Sequence, residues 1–419
     1  MTKRLNVKNF CLSIVFASLA TTLSAQSPHG WRGPERSGFY NEKGLLKSWD
    51  KEGPKLLWAL TDIGKGYSSP VIVGDRLYVT AMTEGEDKET FAAYSLDGKK
   101  IYEIEYSAPW DKTYPETRTT PTIDGNKVYV ISGSGEVVCI DIKNGSIIWK
   151  IDGNTLGRMV GIWGTCESPL VFDNKVIYSP AGEQTTMVAL NKETGEIIWK
   201  SKPLNEHSSY VSPLLIKQNG KRKIVGVTAT NVVGVDAETG NIDWTFNDWG
   251  QTREGERIAN NTPLFHDGQL FLSMGYDMGA FALKLNDDAT KATLAWRNND
   301  IDTHHGHNVL VNGIIYGSNW INNTSGNWVA VDWKTGKTKY NEAWKGKGKG
   351  SIITADGMLY CYDERLGTVA LVKPNPDKFE IISEFRVTKG DGPHWAHPVI
   401  NNGVLYIRHG SALMAYQIK

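Results

Sequence analysis

The chain has 419 residues, of which 40% are hydrophobic and 22% charged, and its 46 basic and 46 acidic residues give a formal net charge of zero. This composition is that of an ordinary globular protein and excludes a disordered or fibrous chain. The balanced charge, without any block of like sign, argues against a nucleic-acid partner. A chain of this length exceeds one compact core, so we expect either several domains or one closed array of repeats.

The first 25 residues have the pattern of a secretory signal peptide. A basic stretch ending at Lys8 precedes an apolar run from about Phe10 to Ala20, and small residues follow. The run is too short to span a bilayer comfortably, and no later stretch offers roughly 18 consecutive apolar residues. We expect cleavage after Ala25 and a periplasmic or secreted protein without a membrane span. A membrane anchor is the weaker interpretation.

The cysteines indicate no metal or disulfide motif. Cleavage would leave Cys139, Cys166 and Cys361, an odd number at wide spacing. Isolated cysteines of this kind usually behave as small buried hydrophobic residues. A bridge between Cys139 and Cys166 stays open, because neighbouring repeats could bring them together.

The N-terminal part of the mature chain divides into two segments. Residues 26–52 carry no repeat signal and are interpreted as a lead that lies across an edge or face of the fold. The next segment, GPKLLWAL from Gly53, resembles the last strand of a repeat unit, with Trp58 as its aromatic residue. The final repeat ends at Lys419 without such a strand. We therefore expect the Gly53 segment to complete it and to close a ring that spans residues 53–419.

Four later segments align without gaps. They are CIDIKNGSIIW from Cys139, ALNKETGEIIW from Ala189, GVDAETGNIDW from Gly234 and AVDWKTGKTKY from Ala330. In each, a small residue comes first, a glycine follows six positions later, and an aromatic residue lies four beyond that. The pattern predicts a hairpin whose glycine takes a positive φ at the turn. The aromatic side chain would then pack between neighbouring sheets.

A second hairpin signature precedes these segments, as in SPVIVGDRLYV from Ser69 and TPLFHDGQLFL from Thr262. Its equivalent positions recur at intervals of 44 to 51 residues, at Pro70, Pro121, Pro169, Pro213, Pro263, Asn308, Ile352 and Pro398. Two hairpins per unit give four strands. The eight positions predict an all-β, eight-bladed propeller of four-stranded antiparallel blades.

These segments resemble the repeat of the pyrroloquinoline-quinone-like (PQQ-like) β-propeller superfamily, which has the form alanine-x-aspartate-x-x-threonine-glycine-x-x-x-tryptophan. Ala330, Asp332, Thr335 and Gly336 match it, with Tyr340 in the tryptophan position. The lead WRGPERSG from Trp31 and the following GLLKSW from Gly44 resemble exported members described as PQQ-binding-like or as like the outer-membrane assembly lipoprotein B. The superfamily also includes quinone-cofactor alcohol dehydrogenases. The resemblance is specific for architecture.

The loops that enter the innermost strands predict a candidate site. They open at one end of the propeller channel, so the residues before the eight signatures should converge on one funnel. The candidates are Tyr67, Arg118, Trp163, Glu167, Tyr210, Asn260, Asn261, His305, His307, Lys349, His394, Trp395 and His397. Three interpretations stay open. The side chains could cap the channel through loop carbonyls, bind an organic ligand, or place histidines on a metal, for which no HExxH-type spacing gives support.

For catalysis, the resemblance implies a quinone held with calcium by carboxylate and amide groups, a catalytic aspartate and often a Cys-Cys disulfide. Glu167 with Asn260 or Asn261 could imitate the calcium ligands, but no aspartate stands out and no Cys-Cys pair occurs. We therefore predict an exported, non-catalytic binding or scaffolding propeller of the cell envelope, with a protein or small-molecule partner and no assigned cofactor. A PQQ- and calcium-dependent dehydrogenase of alcohols or sugars is the alternative, followed by a carbohydrate-active or other enzyme that uses the funnel.

Overall fold

The fold is an eight-bladed β-propeller, as the repeats predict. The computed structural model describes Met1, residues 28–248 and residues 258–419, so the predicted signal peptide lies outside the described residues apart from Met1. Within the described part, the strands form eight sheets. Two 3-10 helices, Pro34–Arg36 and Gly153–Leu156, are the helical segments of this part.

The first four blades follow one another along the chain, and each begins with its innermost strand. Blade 1 comprises Val71–Val73, Arg76–Met82, Glu89–Ser95 and Lys100–Ser107. Blade 2 comprises Thr122–Asp124, Lys127–Ile131, Glu136–Asp141 and Ile147–Asp152. Blade 3 comprises Leu170–Phe172, Lys175–Tyr178, Val188–Asn191 and Ile197–Lys200. Blade 4 comprises Leu214–Gln218, Lys221–Val227, Val232–Asp236 and Ile242–Phe246.

The second half of the ring repeats this arrangement. Blade 5 comprises Leu264–His266, Gln269–Ser273, Ala280–Leu285 and Ala292–Asn298. Blade 6 comprises Asn308–Val311, Ile314–Ser318, Trp328–Asp332 and Thr338–Glu342. Blade 7 comprises Gly350–Ala355, Met358–Asp363, Thr368–Lys373 and Glu380–Arg386. Blade 8 comprises Val399–Asn401, Val404–His409, Ala412–Gln417 and, from the N-terminal part, Lys55–Leu60.

Blade 8 closes the ring by joining the two ends of the propeller. Lys55–Leu60 pairs antiparallel with Ala412–Gln417, and Trp58 lies opposite Ala415. The pairing places a strand from the front of the propeller on the outer edge of its last sheet. The predicted non-covalent closure is confirmed.

The repeat motif folds as a tight turn that also contacts the preceding blade. In blade 4, Oδ1 of Asp236 accepts hydrogen bonds from the backbone N–H of Thr239 at 3.0 Å and from its hydroxyl at 3.1 Å. Gly240 follows with a φ of 78°, which glycine adopts without strain. A Cβ atom at Gly240 would lie 2.5 Å from the indole of Trp199 in blade 3. Glycine is therefore required by the turn and by the contact between blades.

The hydrophobic core lies between neighbouring blades. Phe91 of blade 1 and Ile123 of blade 2 belong to one buried cluster, and the other neighbours share clusters in the same way, with blades 7, 8 and 1 joined in a single large one. The tryptophan that ends the motif spans the outer part of such an interface. The indole N–H of Trp149 in blade 2 donates to the carbonyl of Lys192 in blade 3 at 3.1 Å. Each sheet thus buries both faces against its neighbours.

The lead crosses the central channel. Within it, Arg36 donates hydrogen bonds to the carbonyls of Ser168 and Pro169 at the start of blade 3. Its strand Phe39–Tyr40 pairs parallel with Gly350–Ala355, the innermost strand of blade 7. Blades 3 and 7 are opposite each other in a ring of eight, so this short segment spans the channel from one side to the other.

Cys139, Cys166 and Cys361 are free thiols, so the bridge that the sequence left open is not formed. Burial raises the pKa of the Cys139 thiol to about 12. Within residues 28–248 and 258–419, no helix is long and apolar enough to cross a membrane.

Candidate functional site

A cavity of about 380 Å³ opens at one end of the channel. It is bounded by the loops that enter the innermost strands, by several loops between the second and third strands, and by the lead. The lining residues are Trp31, Tyr67, Tyr114, Arg118, Trp163, Cys166, Ser168, Tyr210, Ser212, Ile258, Asn260, Tyr276, His304, His305, His307, Asn323, Lys349, Glu364, Trp395 and His397. Blades from the whole circumference therefore contribute to one site.

Most of the candidates from the sequence lie together in this cavity. Those among its lining residues are Tyr67, Arg118, Trp163, Tyr210, Asn260, His305, His307, Lys349, Trp395 and His397. Glu167, Asn261 and His394 are not among them. Their position on the entry loops is as expected, but their side chains turn into the protein and bond there.

Glu167 and Asn261 hold strands together. The carboxylate of Glu167 accepts a hydrogen bond from the backbone N–H of Ser179 at 3.1 Å, and burial raises its pKa to about 8. The amide Nδ2 of Asn261 donates to the carbonyls of Ser273 at 3.0 Å and Thr303 at 2.7 Å. Of the residues suggested as imitations of calcium ligands, Glu167 and Asn261 are therefore occupied by structural hydrogen bonds, whereas Asn260 lines the cavity.

His394 lies behind the cavity wall. Its ring stacks on that of His409 at 3.6 Å between centroids, and its Nδ1 lies 2.5 Å from the hydroxyl of Tyr362. Burial lowers the pKa of His394 to about 3, so the ring is neutral at ordinary pH. Its role is to support the loop that carries Trp395.

The lead forms the floor of the cavity. The indole of Trp31 contacts the rings of His307 and His397 edge to face, at centroid distances of 5.3 and 4.8 Å. Arg32 is 2% exposed, and its guanidinium donates to the carbonyls of Ile352 at 3.0 Å and Asn308 at 2.7 Å. These carbonyls lie at the start of blades 6 and 7. Arg32 thus satisfies polar groups that would otherwise be buried without partners.

The same arginine fixes the tautomer of His397. Nη1 of Arg32 lies 2.8 Å from Nδ1 of His397, and a guanidinium can only donate. Nδ1 of His397 is therefore the acceptor, and its Nε2 carries the proton and donates to the carbonyl of His305 at 3.0 Å. Burial first, and then the charge of Arg32, lowers the pKa of His397 well below its ordinary value. The floor is held by a neutral imidazole.

Aromatic rings form the walls. The indole of Trp395 lies 4.9 Å from the ring of Tyr67 and 5.7 Å from that of Tyr114, in both cases at 58° between planes. On the other side, Trp163 and Tyr210 are 5.6 Å apart at 66°. The rings surround the space at steep angles to one another. They present apolar faces with a polar group at several edges.

Lys349 and Arg118 are the lining cations, and both interact with carboxylates: Lys349 with Glu364, and Arg118 with the buried Glu89. Lys349 is hydrogen-bonded to the carboxylate of Glu364, which is the one carboxylate among the lining residues that the structure describes. Nζ of Lys349 also donates to the carbonyl of Asn323 at 2.9 Å. Nε and Nη2 of Arg118 have no hydrogen-bond partner. Burial lowers the pKa of His305 to about 3, so histidine adds no charge that would alter this balance at ordinary pH.

This set of side chains does not fit a calcium-bound quinone or a metal ion. Calcium takes six to eight oxygen ligands, several of them carboxylates, and the single lining carboxylate is paired with Lys349. No group of three or more histidine, cysteine, aspartate or glutamate residues in the described ranges could hold a metal. The histidines instead pack against aromatic rings and loop carbonyls.

Several lining residues were not among the candidates. Tyr276, Asn323 and Glu364 lie between the second and third strands of blades 5, 6 and 7. Antiparallel strands bring those loops to the same end of the propeller as the entry loops, so the strand order could have identified them. Trp31 had no such signal, because the lead is outside the repeats.

Comparison with known proteins supports the fold. A family model described as outer membrane protein assembly factor BamB matches residues 34–152 and 107–342. An uncharacterized protein of Rickettsia conorii is 24% identical over 66% of this chain and 62% of its own length. Across the curated relatives that match, the chain spans from 47% to 62% of their lengths.

Two solved structures have the same architecture at low identity. BamB from Moraxella catarrhalis has a TM-score of 0.62 at 16% identity, over 87% of this chain and 99% of that one. The quinohemoprotein alcohol dehydrogenase from Comamonas testosteroni has a TM-score of 0.69 at 12% identity, over 93% and 80%. These structural likenesses establish the fold alone. Because the family model covers well over half of the sequence, the chain belongs to the family of PQQ-like β-propellers described as outer membrane protein assembly factor BamB.

Proposed function

We propose that this protein is an exported, non-catalytic binding propeller of the cell envelope, and that the cavity at the end of its channel binds a small organic molecule. The observation that carries the proposal is the cavity itself. Aromatic side chains from the lead and from several blades enclose about 380 Å³ around a few polar groups. That combination is typical of small-molecule sites.

The chemistry of the lining supports binding rather than catalysis. The one carboxylate of the described lining, Glu364, is bonded to Lys349 and is therefore poorly placed to act as a base. Cys166 has its pKa raised by burial, which disfavours the thiolate needed in a nucleophile. Binding requires neither group to change its protonation.

The comparisons support a place in the envelope. The matching family model carries the description of an outer membrane assembly factor, which also makes a protein partner a second role for this chain. Similarity to a quinohemoprotein alcohol dehydrogenase keeps the dehydrogenase as the catalytic alternative, although the cavity lacks a matching ligand set for calcium.

The first experiment asks what occupies the cavity. The protein is purified from the cell envelope, and the small molecules that it releases are compared by mass spectrometry with those of Trp395→Ala. Because Trp395 forms one wall, we expect a molecule that accompanies the wild type and falls at least tenfold in the variant. Ile198→Ala, on the exposed outer strand of blade 3, is the matched control and should retain it.

A second experiment separates binding from dehydrogenase activity. The protein is titrated with pyrroloquinoline quinone and Ca²⁺, and dye-linked oxidation of alcohols and sugars is followed. We expect neither tight binding nor turnover. Turnover that depends on both additions would overturn the non-catalytic proposal, whereas an unchanged set of released molecules in Trp395→Ala would overturn the proposed cavity.

A further inference from the structure

We propose that His409 is a pH-dependent clamp on the loop of residues 387–398, which carries Trp395 in the cavity wall. The protonated ring holds the loop through both of its nitrogens, and loss of one proton releases the loop. This loop joins the outer strand of blade 7 to the innermost strand of blade 8. Any consequence of its release for ligand binding rests on the proposed function, whereas the clamp itself belongs to the loop and is tested without a ligand.

Both ring nitrogens of His409 face backbone carbonyl oxygens of this loop. Nδ1 lies 2.7 Å from the carbonyl oxygen of Lys389, and Nε2 lies 2.7 Å from that of Gly392. A carbonyl oxygen can only accept a hydrogen bond, and a neutral imidazole carries one N–H. Both contacts are therefore hydrogen bonds only when both nitrogens of His409 carry a proton. The residue is 8% exposed, so water has little access to replace either partner.

The loop is packed closely against this ring and against the turn that follows it. A Cβ atom at Gly390 would lie 2.8 Å from Nδ1 of His409, and one at Gly410 would lie 2.2 Å from the carbonyl oxygen of Asp391. The backbone N–H and the hydroxyl of Ser411 also donate to Oδ1 of Asp391, at 2.9 and 2.7 Å. This packing leaves the loop carbonyls little room to turn away from His409 unless the loop itself moves.

The nearest carboxylate favours the protonated ring while the loop is closed. It belongs to Asp391, which interacts electrostatically with His409. The ring of His394 stacks on that of His409 and stays neutral at ordinary pH, because burial, and then the charge of His409, lowers the pKa of His394 to about 3. The other ionisable groups of the surrounding elements are Lys65, which interacts with Asp391, Arg386 and Tyr362, which interact with His394, and Arg408, whose Nε donates to the carbonyl of Gly410.

Loss of one proton turns one of the two contacts from attractive to repulsive. The nitrogen without a proton directs its lone pair at a carbonyl oxygen 2.7 Å away, and a charge-assisted hydrogen bond is lost. Histidine is the side chain whose charge ordinarily changes between about pH 5 and 8, so a rise in pH favours the open loop. Trp395 moves with the loop, and the wall that it forms with Tyr67 and Tyr114 opens.

The test compares hydrogen exchange at pH 5.5 and pH 8.5, with each rate expressed as a protection factor so that the intrinsic pH dependence of exchange cancels. Two backbone amides report the closed loop: that of His394 donates to the carbonyl of Glu364, and that of Ser411 donates to Asp391. We expect their protection to fall at least tenfold at pH 8.5. The amides of the ladder between Lys55–Leu60 and Ala412–Gln417 should keep their protection.

Three variants separate His409 from other groups that titrate in this range. His409→Gln cannot gain a charge, so its loop amides should have the same protection at both pH values. Asp391→Asn removes the facing carboxylate, so its loss of protection should occur at lower pH than in the wild type. His266→Gln, at an exposed histidine of blade 5, is the matched control and should behave like the wild type.

Nitrogen NMR of protein labelled at histidine gives a direct measurement of protonation. At pH 5.5 the signal that is absent in His409→Gln should come from a ring with protons on both nitrogens, and a ring with one proton would overturn the proposal. A fall in protection that persists in His409→Gln would also overturn it. Equal protection at both pH values in the wild type would do so even if a variant fails to fold. The proposed function is judged separately, by the molecules that accompany the wild type and Trp395→Ala.

Discussion

The closing strand and the lead come from the same end of the chain, but different kinds of interaction hold them in place. The closing strand, Lys55–Leu60, is bound by a backbone ladder to Ala412–Gln417 and by the indole of Trp58, like the outer strand of any other blade. The lead is held by two buried arginines, Arg32 and Arg36, which donate to carbonyls of innermost strands. The first contact repeats the strand pairing found in every blade, and the second depends on side-chain hydrogen bonds that occur once in the molecule.

Because of this difference, the closing strand determines whether the ring stays closed, and the lead determines the shape of the cavity. The closing strand completes a sheet, so without it blade 8 would expose a new edge and the ring would open. The lead closes no sheet of its own. It adds Trp31 to the cavity and satisfies loop carbonyls, so its removal should change the site more than the ring. Variants in each segment should therefore affect different properties of the protein.

The largest effect is expected at the closing strand. Trp58 packs over Gly98 of blade 1 and donates from Nε1 to the carbonyl of Leu96 at 2.7 Å. Trp58→Ala removes this contact between the closing strand and blade 1. We expect the free energy of unfolding to fall by about 3 kcal/mol, measured by denaturant unfolding.

The neighbouring Leu57 gives the matched control. Its side chain is 43% exposed on the same strand, so Leu57→Ala should cost well under about 1 kcal/mol. If both variants lose the same stability, the outer strand acts through its backbone ladder alone and the indole contributes nothing special.

A smaller loss of folding stability is expected when the pH is raised. It arises at Glu167, near the contact between the lead and blade 3. Arg36 bonds to carbonyls beside Glu167, whose pKa is raised by burial from 4.5 to about 8. Between these values the folded protein holds a proton that the unfolded chain has released, so stability is lost as the pH rises. From pH 6.5 to pH 8 we expect the wild type to lose about 2 kcal/mol through this group.

The measurement should stay between pH 6.5 and pH 8, because below this range other buried groups change the stability in the opposite direction. The buried histidines, such as His305, have lowered pKa values, so stability is lost as the pH falls below about 6.5. Glu89, with a pKa raised by burial to about 7, acts in the same direction as Glu167. The difference between wild type and Glu167→Gln in thermal unfolding isolates Glu167. Parallel pH profiles for the two proteins would contradict the assignment.

The same contrast explains what the sequence could predict. Asp236, Thr239 and Gly240 identify a hairpin because each residue has a local reason to be there, and repetition of the pattern gives the blade count. Counting the strands of the final repeat showed that it lacks its outer strand, which predicted that the N-terminal segment supplies it. The convergence of the entry loops followed from topology, before any side chain was placed.

The repeat pattern and the topology could not predict which way each side chain on the entry loops points. Glu167 and Asn261 are on the predicted loops but turn inward to Ser179 and to strand carbonyls, because buried backbone groups there need partners. Trp31 was missed since a segment that occurs once has no period to reveal its position. The contacts of a unique polar segment depend on atoms far apart in the sequence, as those of Arg32 with Ile352 do.

The smallest change in the free energy of unfolding is expected from Arg32→Ala. This variant tests most directly whether the lead can open while the ring stays closed. The variant leaves the carbonyls of Asn308 and Ile352 without their donor. Opening of the lead lets water reach them, so the global cost should be about 1 kcal/mol, the lower end for buried groups that lose a partner. Hydrogen exchange should instead accelerate at the backbone amides of Ile123 and Thr354, which donate to carbonyls of the lead at 2.7 and 2.8 Å.

The amides of the closing ladder provide the internal reference for that measurement. In Arg32→Ala, the amides of Lys55–Leu60 and its partner strand should keep their protection, because the ladder is independent of the lead. Arg386→Ala, at an exposed arginine, should leave both regions unchanged. If instead the closing ladder loses protection together with Ile123 and Thr354, the lead and the closing strand open as one cooperative unit, and the floor of the cavity is part of what keeps the ring shut.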